Sequence, residues 1–224
     1  MKSRHGSNEV DEMGRSFMAA WYQLGARNGP DISDILERYS EPGRAYHTVD
    51  HVLDCLRLLS VSKHLAEQPL EVRLALIYHD AICSPVGIDN EERSAALFKA
   101  HAHAACLPSD STERIVGMIE GTALHRRFSR EASSVNDIDL VNDIDLAVLG
   151  SSPHQFAYYE AAIRKEYEHV EAQLFRAGRE GILRSFLDLP SIYRTPFFLR
   201  RLEGPARTNL SRALRALHGV NHGD

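Results

Sequence analysis

The sequence predicts an all-α protein, a bundle of about ten helices, and three observations carry that prediction. Apolar residues recur at helical spacing through every long segment. No stretch alternates apolar and polar side chains as a half-buried strand does. No Pro/Gly/Ser-rich linker is long enough to separate domains. The expectation is therefore one helical domain over 1–224, with 1–9 a mobile N-terminus and the helices of 153–224 packed on the same core.

Composition narrows the partners. With 43% hydrophobic and 25% charged residues in 224, the chain has the make-up of an ordinary globular protein. The net charge is −5, from 26 Lys+Arg against 31 Asp+Glu. That balance gives no global basic field for nucleic acid or an anionic membrane, so neither is an expected partner. Three separated cysteines, Cys55, Cys83 and Cys106, form no CxxC and no even set for disulfides, which fits a reducing cytoplasm. No apolar run reaches a membrane span, and MKSRHGSNEVDEMGRS lacks the apolar middle of a signal peptide.

Taken in order, residues 10–24 place Phe17, Met18, Trp21 and Leu24 at helical spacing and stop near Gly25. Residues 31–39 form a second helix with Ile32, Ile35 and Leu36 inward, closed by the turn SEPGR. In YHTVDHVLDCLRLL, 46–59, Thr48 can cap a helix whose stripe is Val49, Val52, Leu56 and Leu59. His47 and His51 then project from one side. They can share a metal, or one can cap while the other faces solvent. Residues 70–82 are apolar around the whole helical circumference, the mark of a buried helix. DNEERSAALFKAHA opens another, with Asp89 or Asn90 as cap and Glu91 and Glu92 in the first turn. There the helix dipole already favours acids, and a general base or a phosphate-site residue could also stand. Residues 111–124 are amphipathic through Ile115, Val116 and Ile119, and deliver His125. VNDIDL occurs twice in tandem, at 135–140 and 141–146. Long helical patterns fill 153–189, and a last helix is expected over 204–217.

The chemistry concentrates in ALIYHDA, 75–81. A charged carboxylate in an apolar run needs a partner, because its desolvation costs several kcal/mol, and a metal ion is one. The bland alternative is a hydrogen-bonded core histidine with Asp80 capping the next helix. In the second VNDIDL copy, helical phase puts Asp145 on the stripe of Val141, Ile144 and Val148, and Asp143 on the far side. Asp145 is then the expected buried carboxylate, bound to a metal or paired with an arginine.

His51, then His79 and Asp80, then Asp145 form the order H…HD…D on separate helical elements, and here the chain resembles the HD superfamily of metal-dependent phosphohydrolases. More closely, EPGRAYHTVDHV, YHDAICSP, DNEERSAALF, NDIDLAVLG, IRKEY and the GRE…IL…FL run resemble a bacterial group of predicted HD phosphohydrolases without an assigned substrate. The resemblance implies an HD-domain-like helical bundle in which His51, His79, Asp80 and Asp145 bind a divalent cation: Mn, Fe, Co, Ni, Mg or Zn by ligand type. Asp143 also fits the DxD, and His47 or His125 could serve a second metal or the substrate. The implied activity is hydrolysis of a small-molecule phosphate ester, a nucleotide foremost, by attack of metal-bound water. Asp80 and Glu92 (or Glu91) would have catalytic roles, and Arg44 or Arg93 would hold phosphate. The competing expectation is a non-catalytic nucleotide-binding or regulatory HD-type protein. A homo-oligomer is left open.

Overall fold

The computed structural model describes residues 6–84, 87–124 and 135–219; His125, the expected second-metal residue, lies outside them. The described residues are all-helical, with ten α-helices and no strand. These are α1 (Ser7–Gln23), α2 (Ile32–Tyr39), α3 (Val49–Ser62), α4 (Pro69–Tyr78), α5 (Asn90–Ala104), α6 (Ser109–Glu120), α7 (Asp137–Asp145), α8 (Pro153–Glu166), α9 (Ala172–Asp188) and α10 (Pro196–Gly219). The chain divides into two compact units, Met1–Asp145 and Leu146–Asp224, where the sequence led us to expect one domain. The division falls inside DLAVLG, a stretch with no linker composition, because a 3-10 helix at Leu146–Gly150 follows α7 directly.

In the first unit α4 is the central element, packing against α1, α3, α5, α6 and α7. Its Val72, Leu74, Ala75, Leu76, Ile77 and Tyr78 are all buried, as an apolar circumference requires. Trp21 of α1 bridges Tyr78 of α4 and Phe98 of α5, with ring centroids 6.4 and 5.5 Å away, and Phe17 completes the cluster. Helix α1 starts earlier than expected, at Ser7. Glu9 accepts the Gly6 N–H and pairs with Arg57 of α3, so residues 7–9 are capped and held instead of trailing loosely.

Helix α6 ends at Glu120, short of the expected residue 124. Its closing Gly121 lies where α7 crosses: an added Cβ would stand 2.5 Å from Ile138 Cγ2 and 2.9 Å from the Gly117 carbonyl oxygen. Asn142 of α7 donates to the Gly121 carbonyl at 3.0 Å. Gly121→Ala should therefore force the two helices apart and lower stability by about 1–3 kcal/mol, read as a drop in melting temperature. An unchanged melting temperature would contradict this close approach.

Helix α7 departs most from its expected form. Asp139, Leu140, Val141, Asn142, Asp143 and Ile144 are all buried, so it has no solvent face and Asp143 is fully enclosed. The expectation that Asp145 is the buried member of the DxD is thus corrected: Asp143 is 0% exposed, whereas the Asp145 side chain keeps 20%. Phase alone could not separate the two, since the helix is packed on more than one side.

In the second unit α8 starts with a Ser152–Gln155 capping box, and Glu171 caps α9 by accepting from Gln173 and Leu174. Helix α10 begins at Pro196, eight residues before the expected start, and runs through Pro205. A proline at the first helical position needs no N–H bond, which makes residue 196 a natural start. Arg207 donates to the Leu187 and Leu189 carbonyls at the end of α9, and Arg164 to those of Tyr167 and Val170, which is structural capping.

Candidate metal centre

The site lies within the first unit, where the last turns of α4 and α7 meet the first turn of α3. Tyr78 ends α4, and His79 and Asp80 follow in the turn that leaves it. Buried carbonyls at a helix end need donors. The Tyr39 hydroxyl supplies one to Ile77 at 3.0 Å, and Arg44 supplies the Asp80 and Ala81 carbonyls at 2.7 and 2.9 Å. On the other side of the turn, Ser94 of α5 bonds the backbone of Ile82, and the Asn90 side chain brackets Ser84 N and O at 3.0 Å each. The turn carrying the two ligand-type residues is thus pinned from both flanks.

His51, His79, Asp80 and Asp145 converge there, each offering a ligand atom within 4.8 Å of the others. His51 Nε2 stands 3.1 Å from His79 Nε2 and 3.2 Å from Asp145 Oδ1. His79 Nε2 is 3.0 Å from Asp80 Oδ2 and 3.4 Å from Asp145 Oδ1. His79 Nδ1 lies 2.9 Å from the Leu76 carbonyl oxygen, which can only accept. Nδ1 therefore carries the hydrogen, and in the neutral ring the Nε2 lone pair faces the centre. Two imidazole nitrogens 3.1 Å apart, flanked by carboxylates, need a proton or a cation between them. A cation bonded at about 2.0–2.2 Å holds adjacent ligands roughly 3–3.6 Å apart, so the donor set fits one.

Electrostatics agree. Burial by itself would raise the Asp80 and Asp145 pKa values, but His79 and His47 beside Asp80, and His51 and His79 beside Asp145, hold both well below the usual range. Burial would lower the His79 pKa, yet Asp80 and Asp145 push it well above its ordinary value. A raised histidine pKa stabilises the fold fully below about 6.5 and fades as pH rises through the folded value. Depressed carboxylates stabilise it above about 3.9 and fail as pH falls through theirs. The metal-free centre is thus best satisfied between about pH 4 and 6.5, and near neutrality a cation must displace the His79 proton. We predict that divalent-metal binding at pH 7 releases a proton and weakens on acidification. Calorimetry in buffers of different ionisation enthalpy reads this directly, and a buffer-independent heat would contradict it.

Other expected site residues fall differently. His47 precedes α3 instead of standing on it. Its Nε2 reaches to 4.0 Å from Asp80 Oδ2 while the side chain stays 24% exposed, outside the four-donor group. Glu91 and Glu92 occupy the first turn of α5, both half-buried. Burial, with Asp80, Glu92 and Asp145 nearby, raises the Glu91 pKa against the lowering by its own backbone hydrogen bond. Arg93 is exposed. Arg44, expected at a phosphate, is only 4% exposed, and each terminal nitrogen has acceptors. Nη1 bonds the His47 and Asp80 carbonyls, and Nη2 bonds Glu41 and the Ala81 carbonyl. Its Nε is buried without a partner, so no guanidinium donor faces outward to a substrate. The sequence reading missed Tyr46, whose ring lies 4.8 Å from that of His51, and Ser94, whose spacing carried no signal.

Among the described residues, this four-donor cluster is the group of histidines and acids that could hold a metal ion. Comparison with family models, with curated proteins and with solved structures finds no match. Among the described residues, no helix is long and apolar enough to cross a membrane.

Proposed function

We propose that this protein is a metal-dependent phosphohydrolase acting on a small phosphate ester, with nucleotides the leading substrate class. The observation that carries the reading is the asymmetry of the donor cluster. The His51 and His79 side chains are 4% and 1% exposed, whereas Asp80 and Asp145 keep 19% and 20%. The imidazoles close the protein side of the centre and the carboxylates border its accessible side. This is the arrangement of a site that keeps positions for an incoming oxygen ligand, in contrast to a fully closed structural one. When bound, a divalent cation supplies Lewis acidity toward a phosphate oxygen and lowers the pKa of a water.

The chain's own groups divide the remaining work. Asp80 and Asp145 would hold the cation together with His51 and His79, and their negative charge would offset its own. His47, half-exposed beside Asp80, can hydrogen-bond the phosphate or return a proton to the leaving oxygen. Glu91, its pKa raised and its carboxylate influenced by both ligand aspartates, suits proton transfer better than the Glu92 expected from sequence. With the Arg44 terminal nitrogens committed to backbone carbonyls and Glu41, exposed Arg93 is the remaining candidate of the two arginines for phosphate.

The test is a phosphate-release screen over mono-, di- and triphosphate nucleotides and simple phosphate esters, with the protein loaded in turn with Mn²⁺, Co²⁺, Ni²⁺ and Mg²⁺. Turnover that vanishes in Asp80→Ala supports the proposal, and turnover retained in full by that variant refutes it. Tight nucleotide binding without product would favour the regulatory alternative.

A further inference from the structure

We infer that Arg44 is a positioning residue of the metal centre, holding together the two chain segments that bring His51 and Asp80 to it. This rests on the metal-binding reading above. Arg44 lies in the loop between α2 and α3, seven residues before His51. Its guanidinium bonds the His47 carbonyl on that side at 3.1 Å and the Asp80 and Ala81 carbonyls on the other at 2.7 and 2.9 Å. Asp80 thus has its carboxylate at the metal centre and its carbonyl on this arginine. The peptide carrying a ligand is tied to the entry of the helix carrying another.

The fork suits this task. One planar guanidinium can meet several carbonyls in fixed directions, which an ammonium cannot. Its charge also sits on the turn just beyond the C-terminal end of α4, the favourable end of a helix dipole for a cation. Below it the Tyr39 ring lies 5.2 Å from the guanidinium carbon, and the Tyr39 hydroxyl caps Ile77 of the same helix end. The clamp is therefore braced on its buried side. Removal of partners that orient metal ligands typically lowers metal affinity about 10–100-fold, which sets the effect to look for.

The experiment compares wild type, Arg44→Lys and Arg44→Met, each metal-free and titrated with Co²⁺ well below its melting temperature, with the visible absorption band recorded. We expect a Kd for Co²⁺ about 10–100-fold weaker in Arg44→Met, with a shifted band, and an intermediate value in Arg44→Lys. If wild type takes up no Co²⁺, the metal-binding reading fails, and this inference fails with it. If wild type binds and both variants match its Kd and spectrum, only the Arg44 inference is overturned, whatever happens to their melting temperatures. Unchanged Co²⁺ binding with a raised KM for a phosphate ester would equally overturn it and return Arg44 to the substrate. Should Arg44→Met fail to fold, Arg44→Lys decides on the same readouts.

Discussion

Asp145→Ala is expected to abolish stoichiometric binding of a divalent cation and to lower phosphate-ester turnover by more than about 100-fold. The bound is set by what loss of a ligand's supporting partner alone does, about 10–100-fold, since removing a donor outright does more. The informative control is its neighbour two residues earlier. Asp143 is fully buried and engaged with other groups, yet it is not among the donors that converge with His51, His79 and Asp80. Asp143→Asn keeps the side chain's shape while removing its charge. It should lower the melting temperature and leave the metal stoichiometry intact. Metal analysis and calorimetry on the two variants check both halves. The opposite pattern, with metal lost from the Asp143 variant and kept by the Asp145 variant, would reverse the ligand assignment.

Trp21→Ala is expected to cause the largest loss of stability of any single substitution in the first unit, about 3–5 kcal/mol. Trp21 is 0% exposed and joins α1 to α4 and α5 through Phe17, Tyr78 and Phe98, so truncation opens a cavity in the middle of the aromatic cluster. At about 2–4 °C per kcal/mol for a chain of this size, the melting temperature should fall by roughly 10 °C. Tyr78 immediately precedes His79, so metal affinity should weaken as well. Trp21→Phe should cost less than half as much. The Trp21 indole N–H is buried without a partner, and removing such a donor recovers about 1–3 kcal/mol that offsets part of the lost packing. Thermal denaturation of both variants tests this, and equal losses would show that the indole nitrogen carries no such penalty.

The tandem VNDIDL illustrates what pattern reading reaches and what it does not. The two copies are identical in sequence and opposite in use. In the first, Asn136 caps α7 through the Ile138 and Asp139 N–H groups, and Asp137 accepts from Glu67 and Gln68 at 2.8 Å each, where α4 begins. In the second, Asn142 holds the Gly121 carbonyl and Asp145 joins the His51, His79 and Asp80 cluster that could hold a metal ion. Nothing inside a hexapeptide distinguishes these roles. The helix start, and which neighbours close around it, do. Arg44 makes the same point from the other direction: an arginine beside a histidine-rich turn reads as a phosphate ligand until the carbonyls that occupy its fork are in view.

The helical class, the buried character of α4, and the candidacy of His51, His79, Asp80 and Asp145 were all legible in the order of amino acids, because apolar periodicity and a carboxylate inside an apolar run are local signals. Folding in three dimensions added that these four side chains meet within 4.8 Å, that Asp143 stays outside their group, and that Arg44 faces backbone instead of solvent. Convergence depends on how α3, α4 and α7 pack. A one-dimensional pattern records which face of a helix is apolar, but not which polar atom across the interface that face will meet.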